Sequence, residues 1–189
     1  MTQRLLALSL SVAALALPAT ALAQRIEPLA ERTAQSDLPL ESPRSSMVLE
    51  QVMLTLAVDP ANRSIAGDGI YRVRVREDLD ELAFDLDPRY AVSEISVGGV
   101  ALSADQWANP DGLLTLRLPE AVPAGDTVEV RIAYSGRPHV ATNPPWEGGF
   151  VWSQTPEGQP WIATAVQGEG CDMFWPCIDH SSSRIGSID

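Results

Sequence analysis

Alternation of apolar and polar residues between Met47 and Gly136 is the feature that most constrains the fold of this chain. Apolar residues recur at every second position in several short runs, which is the period of a half-buried β-strand and not of a helix. In the clearest run, Tyr71, Val73 and Val75 alternate with three arginines. That run predicts a strand with one face in a core and one face in solvent.

Turn residues separate these runs, and no convincing helix lies among them. The runs end at the turn signals Asp59-Pro60, Pro88, Gly98-Gly99, Pro119 and Gly136. Six or more short strands in this order predict an all-β chain folded as an antiparallel β-sandwich. One run, from Leu82 to Leu86, alternates with the acidic residues Asp85 and Asp87, which we expect on a solvated strand edge.

The first 23 residues have the pattern of a secretory signal peptide. Arg4 precedes an apolar run from Leu5 to Leu17, and Ala21-Leu22-Ala23 offers small residues for cleavage after Ala23. The alternative is a membrane anchor, but the apolar run is shorter than the roughly 20 residues that a spanning helix needs. We therefore predict a cleaved signal helix, no stable membrane anchor, and a periplasmic or extracellular location.

The rest of the chain divides by composition. Residues 24–46 contain three prolines and no apolar period, which predicts a flexible leader. Residues 47–180 form the predicted β domain, and residues 181–189 are expected to be a disordered tail. The net charge of −12 and the absence of a basic patch argue against a nucleic-acid partner.

The residues needed for hydrolytic metal chemistry are missing from the sequence. A catalytic zinc needs three protein ligands, commonly two histidines spaced four apart with a carboxylate. The two histidines, His139 and His180, are isolated, and H-E-x-x-H is absent. We predict no catalytic residues, no metal ligands and no cofactor in this chain. His180 with Asp179 and Cys177 is at most a weak metal site, and His139 is expected to be a solvated loop residue.

Two other features leave alternatives open. Cys171 and Cys177 could form a disulfide in an exported protein if a tight turn joins them, whereas a straight strand would hold them apart. We favour free buried thiols. The serines at 181–183 lie beside His180, so an independent serine hydrolase is a further, weaker hypothesis.

The segment Gln154–Asp179 resembles the aminopeptidase N family of zinc metallopeptidases. The stretch Phe174-Trp175-Pro176-Cys177-Ile178-Asp179 is similar to the aromatic-Pro-Cys-x-Asp turn that ends the N-terminal β domain of that family. The resemblance covers roughly residues 47–180 and implies a saddle-like β domain that precedes a zinc-binding catalytic domain. Asp172 departs from the pattern, because the family usually has a basic residue at this position. His180-Ser181 departs from it too, where Glu-Pro is common.

By this resemblance, Gln167 occupies the position that contacts the free amino terminus of a peptide substrate. Glu169 lies two residues on and would share a strand face with it. The family's zinc would be bound in a later domain, so the chain as given is expected to be an inactive fragment of an enzyme that releases N-terminal amino acids.

Four of the five tryptophans lie in the last 50 residues. By the resemblance, the missing catalytic domain would pack on this Trp-rich segment, because large exposed apolar patches are rare in monomers. The alternative is a stand-alone exported β-sandwich module that binds carbohydrate or protein through these rings.

Overall fold

The structure describes residues 28–189, and this part of the chain contains eleven β-strands. The structure is a computed structural model, and the predicted signal peptide (1–23) and residues 24–27 lie outside the described residues. Within 28–189, no helix has the length and hydropathy needed to cross a membrane. In chain order the strands are β1 (Met47–Asp59), β2 (Ser64–Val75), β3 (Leu79–Asp85), β4 (Ala91–Val97), β5 (Val100–Ala101), β6 (Trp107–Ala108), β7 (Leu113–Val122), β8 (Thr127–Gly136), β9 (Gly149–Gln154), β10 (Pro160–Ala165) and β11 (Ser187–Ile188).

The strands form three sheets. The largest has six strands in the order β11-β1-β2-β8-β4-β5, and all its pairs are antiparallel except β1 with β11. A second sheet has the order β3-β7-β6, and β9 pairs with β10 in a separate hairpin. β1 and β2 form a long hairpin whose turn is held by the Asp59 carboxylate, which accepts hydrogen bonds from the amides of Ala61 and Asn62.

The core lies between the six-stranded and the three-stranded sheets. Tyr71 from β2 and Phe84 from β3 are both fully buried, and their ring centroids are 5.1 Å apart. The sequence prediction of an all-β sandwich is therefore confirmed. The apolar side chains that fill this layer from both sheets include Val52, Val73, Leu82, Leu114, Leu116, Val130 and Ile132.

The described part of the predicted flexible leader, residues 28–46, lies against the sandwich; we call it the strap. Leu29 and Leu40 pack on the core, and Thr33 and Arg44 are buried. The structure thus differs from the expectation of a flexible segment. The reason is that polar contacts hold most of the strap, such as the ion pair of Arg44 with Asp85, and these contacts leave no apolar period in the sequence.

The predicted disordered tail also differs, because residues 187–188 form β11. The amide of Gly186 donates to the carbonyl of Leu49, and the amide of Asp189 donates to that of Val52. Ile185 packs against the core. A two-residue parallel strand has no alternation to detect, so its partner in β1 is visible only in three dimensions.

Two tyrosines hold the turn that follows β10. Tyr134 lies across Gly67, where the absence of a side chain makes room for its ring. Its hydroxyl donates to the carbonyl of Phe174 at 2.9 Å, and the Tyr90 hydroxyl donates to the carbonyl of Met173 at 2.6 Å. Tyr134 in β8 and Tyr90 directly before β4 therefore position residues 173–174.

Replacing Gly67 with Ala should destabilise the fold by about 1–3 kcal/mol, because the new Cβ would fall within the Tyr134 ring and displace it. Urea unfolding followed by tryptophan fluorescence measures this difference. Ala66→Ser, at the exposed neighbouring position of β2, is the control and should change the free energy of unfolding by less than about 0.5 kcal/mol. Equal stability of Gly67→Ala and the wild type would contradict the packing described.

Candidate functional site at the Gln167–Glu169 bend

Gln167 and Glu169 lie in a bend directly after β10, and not in an extended strand as the sequence predicts. β10 ends at Ala165, and Gly168 has a φ of +89°, a left-handed conformation that side chains rarely adopt. The chain therefore turns between the two residues, and the strand-face relation expected from their spacing does not hold. Gln167 is exposed and Glu169 is half-buried.

Glu169 ties this bend to the loop before β9. Its Oε2 accepts a hydrogen bond of 2.8 Å from the amide of Gly148. A Cβ at Gly148 would clash with Met173 Cε and would meet Glu169 Oε2 at 2.6 Å, so a side chain there would displace the ends of both side chains. The acidic side chain thus has a structural contact, whereas the amide of Gln167 faces solvent.

A histidine and an arginine lie close to the bend. Arg89 Nη1 is 3.2 Å from His139 Nδ1. Burial and the Arg89 guanidinium lower the pKa of His139, and the charges of Asp87 and Glu169 oppose this shift. His139 lies in a loop as the sequence predicts, but its side chain is half-buried and contacts Arg89, so it is not simply solvated.

Cys171 and Cys177 form a disulfide, so the preference for free thiols is wrong. Residues Cys171–Met173 form a 3₁₀ turn, and the chain folds back to bring the two Cα atoms to 6.2 Å, within disulfide range. Sequence spacing alone could not distinguish this turn from a strand. The disulfide closes what we call the disulfide turn, residues 170–180, which directly follows the bend.

Asp85 and Asp87, expected on a solvated edge, are 2% and 1% exposed, so that prediction is also wrong. The Asp85 carboxylate accepts hydrogen bonds from Arg44 at 2.9 and 3.1 Å and from the amide of Asp179 at 3.0 Å. Asp87 Oδ2 is 3.1 Å from Arg89 Nε. The edge is covered by the strap on one side and by the disulfide turn on the other.

The described residues do not fit a zinc ion. No group of three His, Cys, Asp or Glu side chains in residues 28–189 is arranged to hold a metal. The weak site considered around His180 fails because Cys177 has no thiolate to offer once it is in a disulfide. No catalytic step through zinc is derived for this chain.

The serine hydrolase hypothesis also finds little support. His180 Nδ1 is 2.8 Å from the hydroxyl of Ser182, only two residues away. Its Nε2 is 3.5 Å from Asp37 Oδ1, longer than a hydrogen bond that would orient a catalytic imidazole. The contact is a local turn at an exposed position.

No protein-family model matches the chain, and no curated protein matches it either. Solved structures do match. An M1 zinc metallopeptidase of Deinococcus radiodurans, bound to a Tyr-Ser-Ala substrate, has a TM-score of 0.56 at 22% identity over 81% of this chain and 34% of its own. Leukotriene A4 hydrolase of Saccharomyces cerevisiae has a TM-score of 0.57 at 18% identity, over 84% and 26% of the two chains.

The chain spans about a third of the length of the M1 peptidases that it matches and about a quarter of the yeast hydrolase. At these identities the likeness establishes the fold, and at that level it confirms the resemblance found in the sequence. This chain therefore has the β fold that makes up part of the M1 zinc metallopeptidases.

Proposed function

We propose that this chain is the N-terminal, substrate-facing domain of an exported zinc aminopeptidase and has no catalytic activity of its own. The observation that carries the proposal is the match of 81% of this chain to about a third of an M1 zinc metallopeptidase. The parent enzyme would remove N-terminal amino acids from peptides. Zinc and the reacting groups would belong to the remaining two thirds.

Gln167 would contact the amino terminus of the peptide. Its exposed side-chain oxygen can accept a hydrogen bond from an α-ammonium group, and as a neutral group it would do so more weakly than a carboxylate. Glu169 would help indirectly, since its contact with Gly148 fixes the bend on which Gln167 stands, and its charge favours a nearby cation. The bend would form one wall of the substrate pocket.

A tripeptide with a free amino terminus should bind this bend weakly, with a dissociation constant on the order of millimolar, because only one wall is present. A ¹⁵N chemical-shift titration of the chain with Ala-Ala-Ala should move the amide signals of residues 166–170. Gln167→Ala should abolish most of these shifts. Gln154→Ala, an exposed glutamine at the far end of the hairpin, is the control and should leave them unchanged.

N-acetylated Ala-Ala-Ala is the matched ligand, because it lacks the ammonium group. Equal shifts with the free and the acetylated peptide would show that Gln167 does not recognise the amino terminus and would overturn this assignment.

The zinc-binding domain would cover the large exposed apolar side chains near β9 and β10. Trp146 is 66% exposed, Trp161 is 53% exposed and Val166 is 58% exposed. A buried tryptophan removes about 150–250 Å² from water, so covering these side chains would contribute strongly to the contact. The inward-facing aromatics Phe150 and Phe174 already pack on each other, with centroids 5.5 Å apart.

The chain on its own should therefore bind a hydrophobic dye such as 8-anilinonaphthalene-1-sulfonate and should tend to self-associate. Trp161→Ser should reduce the dye fluorescence by roughly half, since it removes one of the largest exposed apolar side chains of this surface. Val100→Ser, at a similarly exposed position in β5, is the control and should have little effect. A monomer that does not bind the dye would argue against a missing domain and for a stand-alone module.

We further propose that the protein is exported to the periplasm or beyond. The support is the signal-peptide pattern of residues 1–23 together with the disulfide, since disulfides persist in oxidising compartments. The envelope or secreted fraction should contain a form that begins at Gln24, as N-terminal sequencing would show, with no free thiol detected by Ellman's reagent. A reduced, uncleaved chain in the cytoplasm would contradict this.

A further inference from the structure

The strap covers a buried cluster of charged side chains at the base of the disulfide turn. Four carboxyl groups and three guanidinium groups belong to this cluster: Asp85, Asp87, Asp172, Asp179, Arg32, Arg44 and Arg89. Arg32 and Arg44 both pair with Asp85, and Arg89 pairs with Asp87, whereas Asp172 and Asp179 have no arginine partner in the described residues. By charge alone, three guanidinium groups offset three of the four carboxylates and leave one in excess.

Asp172 is the more deeply buried of the two carboxyl groups that lack an arginine. It is 1% exposed, and its Oδ1 has no hydrogen-bond partner among the described residues. The gap between it and the strap is too narrow to hold a water molecule. The titratable and charged groups that face it come from three places. They are Arg32 and Arg44 of the strap, Asp85 at the end of β3 with Asp87 and Tyr90 between β3 and β4, and Asp179 of its own turn.

Burial, and then the nearby charge of Asp179, raise the pKa of Asp172 to about 8. With Asp172 protonated, three carboxylates face three guanidinium groups and the cluster is neutral. With Asp172 ionised, an additional negative charge is held away from water beside three others. Burial of an unpaired charge is among the most costly changes that a fold can undergo.

We propose that the strap is a pH-sensitive latch, which stays closed over Asp172 while this carboxyl group is protonated and opens locally when it ionises. The strap is the element that can yield, because it forms no strand and is attached to the body mainly by side-chain contacts. These contacts include Arg44 with Asp85, Ser36 with Asp179, the amide of Ser181 with Asp37, and Ser42 and Ser46 with Glu77. The proposal is independent of the peptidase assignment.

The direction of the pH effect follows from proton linkage. In the closed state the pKa of Asp172 is about 8, and when water reaches the group it returns towards its ordinary value of 3.8. Between these values the closed state holds a proton that the open state has lost. Raising the pH therefore favours opening, by up to about tenfold in the opening constant per pH unit, and the effect levels off above about pH 8.

Trypsin can report this opening, because the chain contains arginines and no lysine. Arg44 is 5% exposed in the closed strap, so cleavage after it requires the strap to open. The rate of cleavage after Arg44 in the full chain is divided by the rate of the same cleavage in a free peptide of residues 28–46 at the same pH. This ratio should rise about tenfold from pH 6 to 7, about fivefold from 7 to 8, and less than twofold from 8 to 9.

Three variants separate Asp172 from its neighbours. Asp172→Asn cannot ionise, so the ratio should stay low and flat. Asp179→Asn removes a negative charge that raises the pKa of Asp172. Asp172 still ionises in this variant, but its pKa in the closed state is lower, so the ratio should level off at a lower pH than in the wild type. His180→Gln removes the exposed imidazole contacts with Asp37 and Ser182 and should keep the wild-type rise. The control Asp80→Asn, at an exposed position of β3, should keep it too.

Three outcomes would overturn the latch. One is a flat ratio for the wild type between pH 6 and 8. This measurement uses only the wild-type chain, so it does not depend on whether a variant folds. Another is a rise that persists in Asp172→Asn. The third is cleavage after Arg72 and Arg131 in the large sheet with the same rates and pH dependence as after Arg44, which would indicate global unfolding and not opening of the strap.

Discussion

The carboxylate of Asp85 joins three segments that are distant in sequence. It accepts hydrogen bonds from Arg44 of the strap and from the amide of Asp179 in the disulfide turn. The backbone of Asp85 also exchanges hydrogen bonds of 2.7 and 3.0 Å with Cys177. Because the pair with Arg44 is buried, loss of the Asp85 carboxylate would leave the Arg44 guanidinium without its counter-charge, at a cost of about 3–5 kcal/mol. This one group therefore ties the disulfide turn to both β3 and the strap.

The bend that carries Gln167 is held on rigid elements although it is itself irregular. β10 supplies one end, the contact of Glu169 with Gly148 supplies the middle, and the disulfide turn supplies the other end. Hydroxyl groups of Tyr90 and Tyr134 anchor that turn to the large sheet. Loops that bind ligands commonly have this arrangement, in which a rigid scaffold sets the geometry of an exposed segment.

Alternation predicted the main strands because each has one face in the core, as in β2, where Tyr71, Val73 and Val75 are fully buried. The same rule failed at β3, since the strap covers its second face and Asp85 is buried by ion pairing. Nothing in the spacing reveals a covering segment that lacks an apolar period. The disulfide and the bend were missed for a related reason, because a turn at Gly168 and a 3₁₀ turn after it depend on backbone angles that spacing does not encode.

The charge cluster and the bend share one short segment. Asp172 follows Glu169 by three residues, and Gly170 between them packs directly against the carboxyl group of Asp179, leaving no room for a side chain. The amide of Asp87 donates to the carbonyl of Asp172 at 2.9 Å, so the backbone there is fixed to the sandwich. A carboxyl group without a cation can persist at this point only while it stays protonated or reaches water. A closed strap keeps Asp172 protonated, and an open strap lets water reach it. The strap would thus open or close directly beside the segment that carries Gln167.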